Sequence, residues 1–507
     1  MSALFTLRQL ANGGDWRDAI DTLKVDRVLG MPSDAIALYI TDDPEEICAR
    51  QMVIADCIAN AELADGFGEL LEHISNIKDI LEKERTYSQS MERTLYSVRI
   101  IEIYMDAIAL ADKLYVSVSE KLQSERLKAF LSDFHEVFVS ERYKQIGEYV
   151  RRCLENAQTV KSFTVGINLN TKLEPVEIGI LPMNEEEFVT SNFFTDLFSP
   201  SGRTLQHVTP IIRFSGKNEL LQRSMYLTMN DYLCKSVTKA FRDILKNMDE
   251  ITHSLLSAEN DLRFLCHACK YAAELREGKA PFCFAQPSAD GCNVKDAYSP
   301  ILLKRMRYTQ IVPNDIRFAK DGIYIHILTG ANSGGKSVYI QTVGITQILF
   351  QLGLCVPASN ARLRPLQGVY THFATDCNAD DTSGDSRFVA ECKQMKQVIE
   401  KLTADSMVLM DESFSGTAAV EGAAVAAQVL KHIRHKQCFC VYSTHIHEVV
   451  LFMDDLNRKK QVVAPMCVGM ESGVRTFKIL FGKTDELSHA YDIAKKYGLE
   501  FPEEEEE

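Results

Sequence analysis

Residues 330–337 read Gly-Ala-Asn-Ser-Gly-Gly-Lys-Ser and sit between two patterned stretches. The run before them, Ile323 to Leu328, is short, apolar and β-branched, as a buried central strand reads. From Ser337 to about Leu354, apolar residues recur at helical spacing without proline. Strand, glycine-rich loop and helix together fit G-x-x-x-x-G-K-[ST], a loop that cradles phosphate. Its glycines let the backbone curl so that N–H groups face an anion, and the helix N-terminus adds partial positive charge. Gly330, Ala331, Asn332, Ser333, Gly334, Gly335, Lys336, Ser337 and Val338 are therefore the expected nucleotide-binding segment. Lys336 is expected to reach the β- and γ-phosphates, and the Ser337 hydroxyl to ligate Mg²⁺. A chain of this length shows the pattern by accident only about 2% of the time, and the flanking elements lower that further.

The 507 residues, 46% of them hydrophobic, are enough for two to four domains with sizeable cores. The N-terminus has no basic region followed by an apolar core, so no secretory signal is expected, and no uninterrupted apolar run is long enough to span a membrane. The 14 cysteines are scattered, which suits reduced thiols and a cytoplasmic location. Cys266 and Cys269 have CxxC spacing, but they fall in a helical pattern with no second pair nearby, so core packing is the expectation. A net charge of −14 argues against a surface that grips nucleic acid all over, though not against a local basic channel.

Residues 1–157 are rich in helix formers. Val98, Ile101, Met105, Ile108 and Leu110 mark one apolar stretch, and Leu127, Phe130, Leu131, Phe134, Val137 and Phe138 another. A helical bundle is the reading. Residues 158–218 change texture: 162–169 and 176–181 are strand-like around turn residues and suggest a hairpin, followed by irregular sequence. Helical patterning returns over 219–279. From Phe282 strands and helices alternate, which implies a mostly parallel sheet covered by helices, an α/β domain over 280–480. Residues 481–507 end in an acidic tail.

A phosphate loop needs a carboxylate for the metal and a group to orient water. The apolar strand Met407-Val408-Leu409-Met410 ends in Asp411 and Glu412. Asp411 is the expected metal residue and Glu412 the catalytic base. A third strand, Cys438 to Thr444, ends in His445, placed to sense the γ-phosphate from the crevice at the strand ends.

With these elements in hand the chain resembles the ATPase domain of the MutS DNA mismatch-repair family. The resemblance rests on Thr329 to Ser337, on Leu409 to Glu412 with Ser415-Gly416-Thr417, and on Ser443 to Glu448. Val312-Pro313-Asn314-Asp315 is similar to the segment that packs against adenine, so Val312 and Asn314 join the cofactor-binding residues. Gly384 to Glu391 is similar to the signature segment, and Ser488 to Leu499 to a terminal helical segment. The resemblance implies an ABC-like P-loop NTPase domain preceded by a helical core-and-lever region with a clamp-like insert. It implies ATP and Mg²⁺ as cofactors and a homodimer in which Ser386 faces the γ-phosphate bound by the partner. It also implies ATP-gated association with double-stranded or branched DNA, and repair proteins as further partners.

The chain departs from the family pattern at Ala331, usually proline, at Arg387, usually threonine, and at Ser415, often arginine. No Phe-x-Glu wedge occurs in a plausible setting, so mismatch reading by that route is not expected. Lys161, Lys172, Arg203, Arg213 and Lys217 offer the insert only modest positive charge. The alternative is a MutS-like ATPase that regulates a protein complex without binding DNA.

Overall fold

The computed structural model describes residues 4–5, 16–86, 91–159, 162–172, 175–184, 248–330, 334–373, 387–471 and 474–482. Most of the expected clamp-like insert, the first part of the 219–279 return and the segment from Ser488 lie outside the described residues. Helices run in the order α1 (Trp16–Leu23), α2 (Val25–Leu29), α3 (Ser33–Ala37), α4 (Pro44–Ala59), α5 (Ala61–Thr86), α6 (Met91–Val118), α7 (Glu125–Val139) and α8 (Glu141–Thr159). A hairpin, β1 (Ser162–Leu169) and β2 (Pro175–Asn184), precedes α9 (Met248–Ser257) and α10 (Glu259–Glu277). There follow β3 (Gln286–Pro287), β4 (Gly291–Ala297), α11 (Pro300–Leu303), β5 (Asn314–Ala319), β6 (Ile325–Thr329) and α12 (Lys336–Gln351). Next come β7 (Asn360–Leu363), β8 (Gly368–Phe373), α13 (Arg387–Lys401), β9 (Ser406–Asp411) and α14 (Ala419–Lys436). The last are β10 (Phe439–Ser443), α15 (Met453–Asn457), β11 (Val463–Glu471) and β12 (Val474–Phe481).

Cα packing divides the chain into two compact units: residues 1–3, 65–122 and 127–263, and residues 4–64, 123–126 and 264–507. In the first, α7 buries Leu127, Phe130, Leu131 and Phe134, the i, i+3, i+4, i+7 stripe visible in the sequence. Ile101 and Ile108 of α6 are also buried, and the Tyr143 hydroxyl of α8 donates to the Met105 carbonyl at 2.9 Å. Strands β1 and β2 pair antiparallel, as the hairpin reading expected. Asn170 closes their turn by accepting the Lys172 N–H through its side chain at 2.9 Å.

The second unit holds a six-stranded sheet in the order β12-β11-β6-β10-β9-β8. All neighbours pair parallel except β11 and β12, which form an antiparallel edge. Every residue of β9 and β10 is buried, the continuous apolar signature of a parallel sheet covered on both faces. Helix α12 packs on β9 and β10. A smaller sheet, β3-β7-β4-β5, lies in the same unit.

The sequence reading kept residues 1–157 in one helical region. Residues 4–64 instead belong to the unit that carries the large sheet. The cause is the buried stripe of α1, Trp16, Ala19, Ile20 and Leu23, which packs on β8 and α12. Ile20 and Leu23 each contribute about 1.5–3 kcal/mol on burial. Helix α4 starts on Asp43, whose carboxylate accepts the Glu45 N–H, with Pro44 in the first turn. It carries Arg50, fully buried, donating to Glu46 at 2.7 Å and to the Tyr39 carbonyl, with its guanidinium 5.7 Å from the Phe5 ring centre. Arg126 makes a second bond to Glu46 at 2.8 Å. Gln351, at the end of α12, donates to the carbonyls of Thr41 and Leu366 at 3.0 and 2.7 Å. Helix α12, which follows the glycine-rich loop, is thereby stitched at its far end to the N-terminal segment.

Gly353 follows α12 at φ 76°, and a Cβ there would lie 2.5 Å from the Arg50 Cβ. Gly353→Ala is expected to cost about 2–4 kcal/mol, since it combines a left-handed backbone with a core clash. Equilibrium denaturation checks it.

His326 of β6 is buried, donates from Nε2 to the Arg317 carbonyl at 2.6 Å and leaves Nδ1 without a partner. Burial pushes its pKa down from 6.5 to about 4. The unfolded chain takes up this proton below pH 6.5 while the folded chain refuses it until about pH 4. Stability should therefore fall as pH drops through that window, by roughly 3 kcal/mol in all. Denaturation at pH 7 and pH 4.5 should show a smaller difference in His326→Gln than in the wild type.

Candidate functional site

Strand β6 delivers the chain to Gly330 at φ 136°, and Gly335 at φ 90° opens α12. Both angles belong to glycine. Ala331, Asn332 and Ser333 lie outside the described residues. Lys336, only 4% exposed, reaches back across the loop so that its ammonium donates to the Gly330 carbonyl at 2.8 Å. Burial lowers its pKa, the carboxylates of Glu412 and Asp411 act against that shift, and Arg475 adds to it. Ser337 is exposed on the first turn of α12 and Val338 half-buried beside it.

The acids arrive on β9. Asp411 is buried and accepts the Ser443 hydroxyl at 2.7 Å. Glu412 takes a left-handed backbone, φ 54°, with its N–H donated to the Ser443 carbonyl at 2.9 Å. Its side chain stays partly open to solvent, and His445 Nδ1 stands 4.0 Å from Glu412 Oε1. One more backbone bond, Thr444 N–H to the Leu328 carbonyl at 3.0 Å, joins the end of β10 to the end of β6.

Lys336, Ser337, Val338, Gly335 and Glu412 line one cavity of about 560 Å³, together with Val312 and Asn314. That size suits a small-molecule ligand. Tyr298, Ile311, Tyr339 and Phe477 make its apolar part. The cavity thus runs from a cationic, hydroxyl-bearing helix start to an apolar end, the shape and polarity that a phosphorylated aromatic molecule needs. Asn314 lines it but offers no free polar group. Both amide protons are committed, to the carbonyls of Val312 at 3.3 Å and Phe477 at 3.2 Å, and its oxygen accepts the Ile479 N–H at 2.7 Å. Asn314 therefore staples β5 to β12 and shapes the cavity wall.

Two residues of β12 escaped the sequence reading. Phe477 sits at φ 57° with its ring against Gly335, and Arg475 lies within electrostatic reach of Lys336. The readable signal was an aromatic and a cation in the last strand. Nothing local said that this edge strand folds back onto the loop. Ser386 lies outside the described residues, and α13 begins at the next residue, Arg387. Among the described residues no helix is long and apolar enough to cross a membrane.

Asn314→Ala leaves the Ile479 N–H without its acceptor and should cost about 2 kcal/mol. Hydrogen exchange should rise together at 312–314 and 477–479. Unchanged protection would remove the staple.

Comparison with known proteins agrees with this architecture. A family model described as MutS domain V matches residues 326–503, and one described as MutS2 N-terminal domain matches residues 42–278. The DNA mismatch repair protein MutS of Prochlorococcus marinus (strain AS9601) is 36% identical over 210 residues, 40% of this chain and 21% of that protein. The DNA mismatch repair protein MSH3 of Arabidopsis thaliana is 34% identical over 158 residues, 31% of this chain and 14% of the relative. Endonuclease MutS2 of Staphylococcus haemolyticus (strain JCSC1435) is 27% identical over 297 residues, 56% of this chain and 36% of the relative. The matches thus span well under two thirds of these curated relatives' own length.

Proposed function

The chain belongs to the MutS family, and on that premise we propose that it binds and hydrolyses ATP to control its association with DNA. The observation that carries this reading is the single cavity that joins the start of α12, the Glu412 carboxylate and an apolar end. In this reading the base of ATP lies against Val312, Tyr298 and Phe477. The triphosphate lies over the N–H groups of Gly334 to Val338, where the 16-residue α12 presents its positive end. Lys336 exchanges its bond to Gly330 for phosphate oxygens. Glu412 takes the proton of the attacking water, and His445 hydrogen-bonds the γ-phosphate. The Ser337 hydroxyl and the Asp411 carboxylate are a hard-oxygen pair suited to Mg²⁺, and Ser443 already orients Asp411. When bound, Mg²⁺ would neutralise phosphate charge. The P-loop NTPase fold, the homodimer with Ser386 acting on the partner's nucleotide, and the division into lever, clamp and ATPase regions belong to the same proposal.

DNA is the partner this reading favours, with repair or recombination as its setting. Relatives of this chain are mismatch-repair proteins and an endonuclease by name. The net charge of −14 and the modest positive charge of the insert favour a protein partner instead.

Glu412→Gln is expected to keep ATP affinity while turnover falls at least about 100-fold, with dimers accumulating under Mg·ATP. Steady-state hydrolysis and light scattering after gel filtration check both. Wild-type turnover in that variant would refute the assigned base. Titration with linear, mismatched and four-way DNA at low and moderate salt tests the partner. Salt-sensitive binding is expected, and no binding to any of the three would leave the protein-regulating alternative.

A further inference from the structure

The loop that follows Glu412 is held by groups that the hydrolytic roles do not use. Glu412 and Phe414 are both non-glycine residues in the left-handed region, at φ 54° and 63°. That region is unfavourable for a residue with a Cβ, and such a backbone persists only where its surroundings over-determine it. Three side chains do so. The Tyr442 hydroxyl donates to the Ser413 carbonyl at 2.9 Å. His372 of β8 has Nδ1 2.7 Å from the Ser413 hydroxyl oxygen. Glu391, in the second turn of α13, accepts the Phe414 N–H on its carboxylate at 2.6 Å.

Glu391 holds the loop twice. His372 is fully buried, and burial lowers its pKa, so the ring is neutral and carries one proton. Its Nε2 faces the Glu391 carbonyl at 3.1 Å, which can only accept, so the proton sits there. The single Ser413 hydroxyl proton then has two acceptors, Nδ1 at 2.7 Å and the His372 carbonyl at 2.9 Å, so His372 grips this hydroxyl through both groups. The Phe414 ring stacks on His372 at 5.5 Å and meets the edge of Phe388, from the first turn of α13, at 6.4 Å. Ser413, Phe414 and His372 are 0% exposed and Glu391 is 4% exposed. Burying a carboxylate costs several kcal/mol before its partners repay it, and an apolar side chain would fill the same space without that cost. The acid is therefore better explained by what it holds than by packing.

We propose that Glu391 is a positioning residue that couples the start of α13 to the loop carrying Glu412, so that the two shift as one body. This rests on the reading of Glu412 as the catalytic base. Helix α13 directly follows Ser386 in sequence, so a displacement of its start would reach the loop of the catalytic carboxylate through the Glu391–Phe414 bond, with the Phe388–Phe414 contact and the His372 bridge beside it.

The test uses the full chain as wild type, Glu391→Ala and Glu391→Gln. ATP turnover, binding of a fluorescent ATP analogue and hydrogen exchange are measured on each. Glu391→Ala should lower kcat about ten-fold or more, as a small misplacement of a catalytic group does, while KM and analogue affinity stay within about two-fold. Exchange should rise at 412–417 as well as at 387–391, with β9 still protected. Glu391→Gln keeps an oxygen for the Phe414 N–H and should recover most of the turnover. Unchanged kcat in Glu391→Ala overturns the proposal. So does an equal loss of kcat and nucleotide affinity that glutamine does not rescue, since that is a loss of packing alone. A wild-type chain that binds ATP without hydrolysing it refutes the functional reading. Exchange then still decides the coupling, and a rise confined to 387–391 sinks it.

Discussion

The C-terminal end of β10 is the constraint on which the site depends. It lies between the strand that feeds the glycine-rich loop and the strand that ends in the two acids. Within three residues it makes four bonds to its surroundings. Tyr442 holds the Ser413 carbonyl, Ser443 donates to Asp411 and accepts from Glu412, and Thr444 donates to Leu328. A parallel ladder fixes the relative height of its strands, so these bonds set how far Asp411 and Glu412 stand from Lys336. The polar contacts are buried, and an unmade one would cost more than a made one contributes. That asymmetry keeps the arrangement unique.

The same unit shows how the helix that follows the glycine-rich loop is held at a distance from it. Helix α12 is buried along nearly its whole length, with α1 on one side and β9 and β10 on another. Its far end is tied to Thr41 and Leu366 through Gln351, and Gly353 then turns the chain under Arg50. Arg50 is a cation in a core, tolerable because Glu46 pairs with it and aromatic rings cover it. The N-terminal segment is thus part of the sheet-bearing unit. It packs against α12 through α1 and ties the helix at its far end.

Three of the seven non-glycine residues with positive φ among the described residues stand where chemistry is proposed. Glu412, Phe414 and Phe477 all have positive φ without being glycine. Two of them flank Ser413, and the third faces Gly335 across the cavity. Each is pinned by hydrogen bonds from residues far away in sequence: Ser443, Glu391 and Asn314. Strain of this kind pre-sets a loop in the geometry it must have, so that binding need not spend free energy in ordering it.

Much of this is legible in the sequence. The octapeptide, the apolar strand ending in two acids and the third strand ending in His445 define a parallel sheet with its polar ends on one side, because period and composition report burial directly. The strand-like stretches 162–169 and 176–181 with turn residues between them suggested the hairpin that β1 and β2 form. Polar side chains that serve the backbone could not be read. Asn314, expected beside the cofactor, lines the cavity and also staples β5 to β12; Ser443 lay in a motif that did not show its bond to Asp411, and His372 carried no motif at all. The sequence by itself determined which residues form strands and which sit at their ends, since that depends on neighbours three or four positions away. Only the tertiary structure decided that residues 4–64 pack with the sheet, that β12 folds onto the loop and that Glu391 reaches Phe414. Those choices depend on which buried surfaces find each other across long stretches of chain, and no local pattern encodes that.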